Sequence, residues 1–296
     1  MKIIVTGSLG HISRPLTKEL VQKGHAVTVI SSNPDRQEEI EALGATAAIG
    51  MMEDVAFLAA TFTGADIVYC MVPPALYTEP DRVKFYRSIG SNYVQAIQQA
   101  GVKRVIHLSS YGADLDKGTG LILGAHFVEV MLNELPGVAV THMRPTYFYY
   151  NLFSFIGSIK AAGVMAANYG GDDKIVMVSP IDIAAAIAEE IELPATGHKI
   201  RYVASDSLTG HEIASIIGAA IGKPDLKWVV ITDEQMRHAM ESNGVPAKLA
   251  GDFIDMFASV RNGDLARDYH LHPPAVMGHV KLTDFVSEFA AAFNAK

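Results

Sequence analysis

Lys2-Ile3-Ile4-Val5-Thr6-Gly7-Ser8-Leu9-Gly10-His11-Ile12-Ser13-Arg14-Pro15-Leu16 opens the chain with a short β-branched run, a turn holding two glycines and the beginning of a helical pattern. A strand that passes through a glycine turn directly into a helix starts a βαβ unit, and its turn gathers backbone amides where they can bind phosphate oxygens. Gly7 permits the tight turn, Gly10 lets the backbone approach a pyrophosphate, and Ser13 stands in for a third glycine. Leu9, His11 and Ile12 ride on the same turn and are assigned to the same ligand. Pro15 costs little in a first helical turn, whose amides lack intrahelical partners.

Downstream, two hydrophobic periods alternate. β-branched runs at residues 3–5, 27–30, 67–69, 105–108 and 138–141, with a weaker one at 46–49, have the pattern of buried strands. Helical spacing lies between them: Leu16, Leu20 and Val21; Ile40 and Leu43; Val94 and Ile97; Val128, Met131 and Leu132. Gly24, Gly44, Gly64, Gly101 and Gly137 each follow a helical stretch and precede a strand, where a left-handed stop is wanted. The repeat of strand, helix and glycine predicts an α/β fold with a doubly wound parallel sheet. The second half is less regular. It reads as a smaller α/β domain over 151–296 beside a domain over 1–150, with later segments returning to the first sheet. Thr209 and Glu212 form a capping box, and Asp182 is expected to cap a helix that begins at Ile183.

Composition narrows the function. The 296 residues carry 24 Lys+Arg, 32 Asp+Glu and one cysteine, with 49% hydrophobic residues and a net charge of −8. Those values argue against a disulfide framework, a disordered polymer and a nucleic-acid binder driven by bulk positive charge. Residues 1–150 hold 12 basic and 14 acidic side chains, the remainder 12 and 18, so a phosphate-bearing ligand meets less repulsion in the first half. The longest uncharged stretch with an apolar, membrane-like composition, 145–159, is shorter than the roughly 20 residues of a spanning helix. A soluble cytoplasmic protein without a membrane or nucleic-acid partner is expected, as a monomer or homodimer.

Several motifs in order give the chain a resemblance. Gly7-x-x-Gly10-x-x-Ser13, Leu108-Ser109-Ser110-Tyr111-Gly112-Ala113, Arg144-Pro145 with Asn151, Ile181-Asp182-Ile183-Ala184 and Leu208-Thr209-Gly210-His211-Glu212 resemble the NmrA-like atypical short-chain dehydrogenase/reductases over nearly the whole length. The resemblance implies a Rossmann domain, a smaller carboxy-terminal substrate domain and NAD(P) binding. That family includes NADPH-dependent quinone reductases, triphenylmethane-dye reductases, aromatic-alcohol and flavonoid reductases, and non-catalytic redox-sensing regulators.

Cofactor choice is read after the second strand, where NAD binders usually place a carboxylate and NADP binders an arginine. Here stand Ser31 and Ser32, with Arg36 a turn later, which favours NADP(H) over NAD(H); Arg36 has the alternative of balancing Glu38 or Glu39. Met51 gives adenine an apolar surface. Met71, Val72, Pro73 and Pro74 after the fourth strand, Ser109 after the fifth and Pro145 after the sixth should converge on the same crevice.

None of the tyrosines has lysine four residues on, so the Tyr-x-x-x-Lys pair of short-chain dehydrogenases is absent. In relatives that keep a lone lysine, the resemblance places it at Ala125, beside His126. Tyr111, His126 and Tyr147 remain as proton-donating candidates, and Tyr147-Phe148-Tyr149-Tyr150 offers aromatic surface to an acceptor. His270, His272 and His279 lack carboxylates at ligand spacing, so no metal site is expected. The leading reading is an NADPH-dependent reductase of a small aromatic or quinone-like substrate. The alternative is a non-catalytic dinucleotide sensor acting through a protein partner.

Overall fold

The computed structural model describes residues 1–73, 79 and 81–295; Pro74, grouped above with Pro73, lies outside them. In chain order the strands are β1 (Lys2–Val5), β2 (Ala26–Ser31), β3 (Thr46–Ile49), β4 (Ile67–Cys70), β5 (Arg104–Leu108), β6 (Ala139–Pro145), β7 (Tyr147–Phe148), β8 (Val164–Ala167), β9 (Lys174–Val178), β10 (His198–Val203), β11 (Asp206–Thr209) and β12 (Lys227–Val230). The helices are α1 (Ser13–Gln22), α2 (Gln37–Ala42), α3 (Val55–Phe62), α4 (Arg82–Ala100), α5 (Leu123–Asn133), α6 (Ile156–Ala162), α7 (Pro180–Glu192), α8 (Gly210–Ala220), α9 (Asp233–Ser242), α10 (Ala247–Arg261), α11 (Arg267–Leu271) and α12 (Leu282–Asn294).

Seven strands form one parallel sheet in the order β10-β6-β5-β4-β1-β2-β3. Strand alternation sends Ile3, Val5, Val27 and Val29 to one face, where Leu16 and Leu20 of α1 and Ile183, Ile187 and Ile191 of α7 cover them. Ile4, Val68 and Val105 point to the other face, under Leu58 of α3, Ile89 and Tyr93 of α4 and Val128 of α5. Helices thus cover both faces, and the fold is Rossmann-like. The helix-stopping glycines take positive φ as expected; at Gly101, the αL cap of α4, the backbone sits at φ 69° and ψ 24°.

Residues 180–203 return to this sheet, α7 on its face and β10 at its edge. The remaining second-half elements, joined by β7 from just before residue 151, build a separate layer: a three-stranded sheet in the order β11-β9-β7 and a parallel pair β8-β12. Tyr149, Tyr169, Trp228, Phe285 and Phe289 fill its core. The capping box of α8 is present, with Glu212 N–H donating to Thr209 Oγ1 at 3.1 Å and Thr209 N–H to Glu212 Oε2 at 2.7 Å.

Asp182 is not a cap. The helix starts earlier, at Pro180, and Ser179 caps it by accepting from the Ile181 amide at 3.2 Å. Proline at the first helical position fits without losing a needed donor, which moves the start upstream of Ile183. Asp182 instead turns toward the far end of the chain. Its carboxylate accepts from Ser205 Oγ at 2.6 Å and from the backbone amides of His279 and Val280 at 3.1 and 3.0 Å. Asp206 does the same next door, accepting from Tyr149 Oη at 2.6 Å and the Leu282 amide at 2.7 Å.

Candidate functional site

At the carboxyl ends of β1, β2, β4, β5 and β6 the strands open into a cavity of about 690 Å³, closed on its other side by β7, β9 and five residues between Met256 and Ala266. Ligands in open parallel sheets bind at this end, outside the strand termini.

The glycine turn forms one wall. Gly7 has φ +88°, and a Cβ added there would lie 2.8 Å from Met71 Cγ and Sδ and 3.2 Å from Ser13 Oγ. Gly10 is open: an added Cβ would meet only the Gly7 carbonyl, at 3.5 Å. Ser13, at the third-glycine position, is buried, and its hydroxyl donates to the Thr6 carbonyl at 3.0 Å, so the extra polar atom is satisfied within the turn. Thr6 in turn accepts from the Met71 amide through Oγ1 at 2.9 Å and fixes the β4 terminus beside the turn. Gly10, His11, Ile12 and Ser13 all line the cavity at the start of α1, whose first amides have no intrahelical acceptor. This cradle of close backbone approach plus helix-start amides fits a pyrophosphate.

Ser31 and Ser32 continue the wall with Met51, Met71, Val72 and Pro73. Ser31 is tied into its loop, accepting from Ser8 Oγ at 2.9 Å and donating to the Asn33 carbonyl at 3.2 Å. Ser109 and Tyr111 are presented by an extension of the β5-β6 ladder, in which the Ser109 amide donates to Met143 O at 2.8 Å and the Tyr111 amide to Pro145 O at 3.1 Å. Pro145, Tyr147 and Tyr150 complete the far wall. The Tyr150 ring stacks on His11 with centroids 4.9 Å apart and planes 27° apart, joining the glycine turn to the aromatic segment.

Three of the expected site residues stand off this wall. Leu9 is buried in the core beneath the turn. Arg36 reaches the carboxylate of Glu39 at 2.5 Å, and Arg14 pairs with the same carboxylate, so the guanidinium is held by its helix neighbour outside the cavity. His126 turns its Nδ1 to the Ala113 carbonyl at 2.9 Å, while Ala125 beside it faces the cavity. One helical position separates the two side chains by about 100°, which is why adjacent residues do not share a wall.

The phenols at the site hold their protons. Burial pushes Tyr111 up, aided by Tyr269 and Asp114, and pushes Tyr147 well above the ordinary tyrosine value, aided by Tyr169. Tyr169 donates to Tyr147 Oη at 3.3 Å. None of the groups that shift them is a lysine, so both phenols stay protonated at neutral pH and keep a proton to donate. Beneath Ser109 lies a buried charge network. Ser109 Oγ donates to Glu129, Arg144 binds that carboxylate through Nε at 2.9 Å and Nη2 at 2.6 Å, and Nη1 reaches Tyr202 Oη at 3.0 Å and Asp268 at 2.9 Å.

Sequence reading passed over part of the lining. Arg82 and Tyr86 of α4, Tyr169, residues 174–176 and Met256, Phe257, Val260, Leu265 and Ala266 all reach the cavity. Arg82 left one signal, a cation as the first residue of a helix, where the dipole disfavours it. The others, Lys174 apart, are tyrosines and apolar residues whose position depends on how the second layer packs.

Comparison with known proteins agrees with this architecture. The NAD(P)H azoreductase of Xenophilus azovorans is 27% identical over 300 residues, covering 99% of each chain. The (4-alkanoyl-5-oxo-2,5-dihydrofuran-3-yl)methyl phosphate reductase of Streptomyces griseus is 26% identical over 264 residues, covering 88% of each. Among solved structures, an NADPH-dependent quinone oxidoreductase from Escherichia coli, complexed with NADPH, superposes with a TM-score of 0.80 at 23% identity over 97% of this chain and 99% of that one. The Citrobacter triphenylmethane reductase complexed with NADP(H) gives a TM-score of 0.76 at 18% identity, with 97% and 99% coverage. These two likenesses concern the fold. The family match spans residues 1–282, and the chain belongs to the NmrA-like family.

Proposed function

We propose that this protein is an NAD(P)H-dependent reductase of a small aromatic or quinone-like acceptor, with NADPH the preferred donor. The observation that carries the reading is the continuity of one cavity from the glycine turn to Tyr111 and Tyr147. A cradle for pyrophosphate at one end and an apolar, phenol-bearing chamber at the other suit a dinucleotide and its acceptor lying end to end. The azoreductase and quinone-reductase relatives support the same class of chemistry. Neither Ser31 nor Ser32 at the end of β2 is a carboxylate, and although the Ser31 hydroxyl is bound within its loop, Ser32 brings a second hydroxyl to the cavity wall, which supports the choice of NADPH.

When bound, the reduced nicotinamide supplies the hydride. The chain's own work is orientation: the Gly7–Ser13 turn and Met71 fix the dinucleotide, and the aromatic wall holds a flat acceptor against it and excludes water. Tyr111 and Tyr147, protonated at neutral pH, donate hydrogen bonds to an acceptor oxygen and stabilise the charge that develops there on hydride arrival. The reduced acceptor takes the accompanying proton from solvent on release, since burial raises both phenols and makes neither a ready acid.

The test is NADPH oxidation by purified protein against a panel of quinones, azo and triphenylmethane dyes and enones, with NADH run in parallel. Turnover of at least one aromatic acceptor, faster with NADPH, is expected. Tight NADPH binding without turnover of any of them defeats the reductase reading and leaves the sensor, for which Ala125 at the lysine position is the motive.

A further inference from the structure

Arg82 is the first residue of α4, is 6% exposed and lines the cavity. Its Nη2 donates to Tyr86 Oη at a long 3.4 Å, and the guanidinium stands 5.3 Å from the centre of the Tyr86 ring. Nε and Nη1 are buried and have no hydrogen-bond partner among the described residues. Asp81, its neighbour in sequence, is engaged as the N-cap of α4, accepting from the Lys84 amide at 3.0 Å. Arg144, the other deeply buried guanidinium on this side of the sheet, shows the contrast, with Glu129 and Asp268 both in contact.

A guanidinium stays charged at any pH the protein meets, and a buried charge without a counter-ion is heavily penalised. Here the penalty is compounded, because the positive end of the α4 dipole lies beside the cation. The arrangement asks for an anion. Of the charged residues lining the cavity, Glu53 follows Met51 and Met52 at the β3 end, near Ser31 and Ser32, whereas Arg82 and Lys174 are cations. Arg82 projects from α4 beside Tyr86, whose ring packs against Gly124 of α5, next to Ala125 on the cavity wall. That is the acceptor end, and pyrophosphate already has the turn amides of α1.

We propose that Arg82 anchors an anionic substituent, a carboxylate, sulfonate or phosphate, on the aromatic acceptor. The proposal rests on the acceptor reading of this cavity and adds to it a charge that the substrate must carry. A planar guanidinium with two donors unpaired among the described residues takes two oxygens of one oxyanion side by side, which also fixes the ring's direction in the chamber.

The experiment is titration calorimetry of naphthalene-2-sulfonate and its neutral isostere naphthalene-2-sulfonamide, with and without saturating NADP+, on wild type, Arg82→Gln and Arg82→Lys. Wild type should favour the sulfonate by about 10-fold or more, the ratio expected of a charged hydrogen-bonded contact. Arg82→Gln should bring the ratio close to one, and Arg82→Lys should keep part of it. A wild-type ratio near one, or an undiminished ratio in Arg82→Gln, overturns the proposal. Weaker NADP+ binding in Arg82→Gln with an unaltered sulfonate ratio assigns the guanidinium to the dinucleotide's phosphates and also overturns it. Neither probe is reducible, so the ratio is read whether or not the protein turns over NADPH, and failure of the reductase reading stays separate from failure of the anion site. Melting curves complete the set: loss of an unanswered buried charge should leave Arg82→Gln melting at or above wild type without ligand, and a lower melting temperature marks Arg82 as structural and defeats the proposal.

Discussion

Gly7 holds a conformation that no side chain fits. Its φ of +88° lies in the left-handed region, and the space where a Cβ would go is filled by the Met71 side chain. Gly7→Ala therefore strains the backbone by roughly 1–2 kcal/mol and pushes Met71 out of the cradle. The expected outcome is at least a 10-fold weaker Kd for NADPH by fluorescence titration, together with a lower Tm; an unchanged Kd would remove the turn from the dinucleotide site. At this scale the sequence was most legible where backbone geometry demands a residue type, as at Gly7 and Gly101. It was least legible where a side chain's meaning lies in its partners. Arg36 had two readings of equal local merit, cofactor contact or partner of Glu39, and only the folded arrangement shows the Glu39 pair. Asp182 was read as a cap because local rules favour it there, but its partners lie 23 to 98 residues away.

Four elements meet at Arg144. From β6 its guanidinium binds Glu129 of α5, Tyr202 of β10 and Asp268 of α11, so one side chain ties the sheet to α11, which directly follows Leu265 and Ala266 of the cavity wall. Arg144→Ala would strand the buried Glu129 carboxylate, at a cost of about 3–5 kcal/mol. Thermal melting should show a drop on the order of 10 °C for a chain of this size. Adding Glu129→Gln should recover part of it, because the stranded charge is then gone; a double variant no better than the single would mean the loss is one of packing alone. The strands of the large sheet were visible beforehand because each is a β-branched run closed by a turn. β7, β8 and β11 were not, being two to four residues long and paired across the second layer. The seat of β10 beside β6 is a tertiary fact with no local mark.

Across the whole molecule, acidity should loosen the fold through a buried histidine pair. His107 of β5 and His142 of β6 have their Nδ1 atoms 3.0 Å apart, and His142 Nε2 lies 3.0 Å from Asn133 Oδ1. Burial lowers His142 to about 4 from an ordinary 6.5, with Glu129 opposing and Arg144 and His198 adding to the drop; burial and His142 itself push His107 down as well. The unfolded chain then binds more protons than the native one between pH 6.5 and 4. Stability is whole above that window and falls as pH drops through it, on the order of 3 kcal/mol for His142. Melting curves from pH 7.5 to 4.5 should decline accordingly, and His142→Gln should flatten the decline; an equal slope in the variant would place the acid sensitivity elsewhere. Neither histidine carried a signal in the sequence, since each looks like a polar interruption of an apolar strand. The cavity was half legible for a related reason: its sheet-borne wall follows from strand ends, while its other wall depends on how the second layer docks. The clamp on the carboxy-terminal loop has a consequence for how this chain can vary. Asp182 and Asp206 grip residues 279, 280 and 282 by their main-chain amides, so side chains at these positions can drift without loosening the grip. The tolerance ends at Gly278, where any added carbon would fall 2.3 Å from Asp182 Oδ2, so the freedom of the loop is set by a carboxylate nearly a hundred residues upstream.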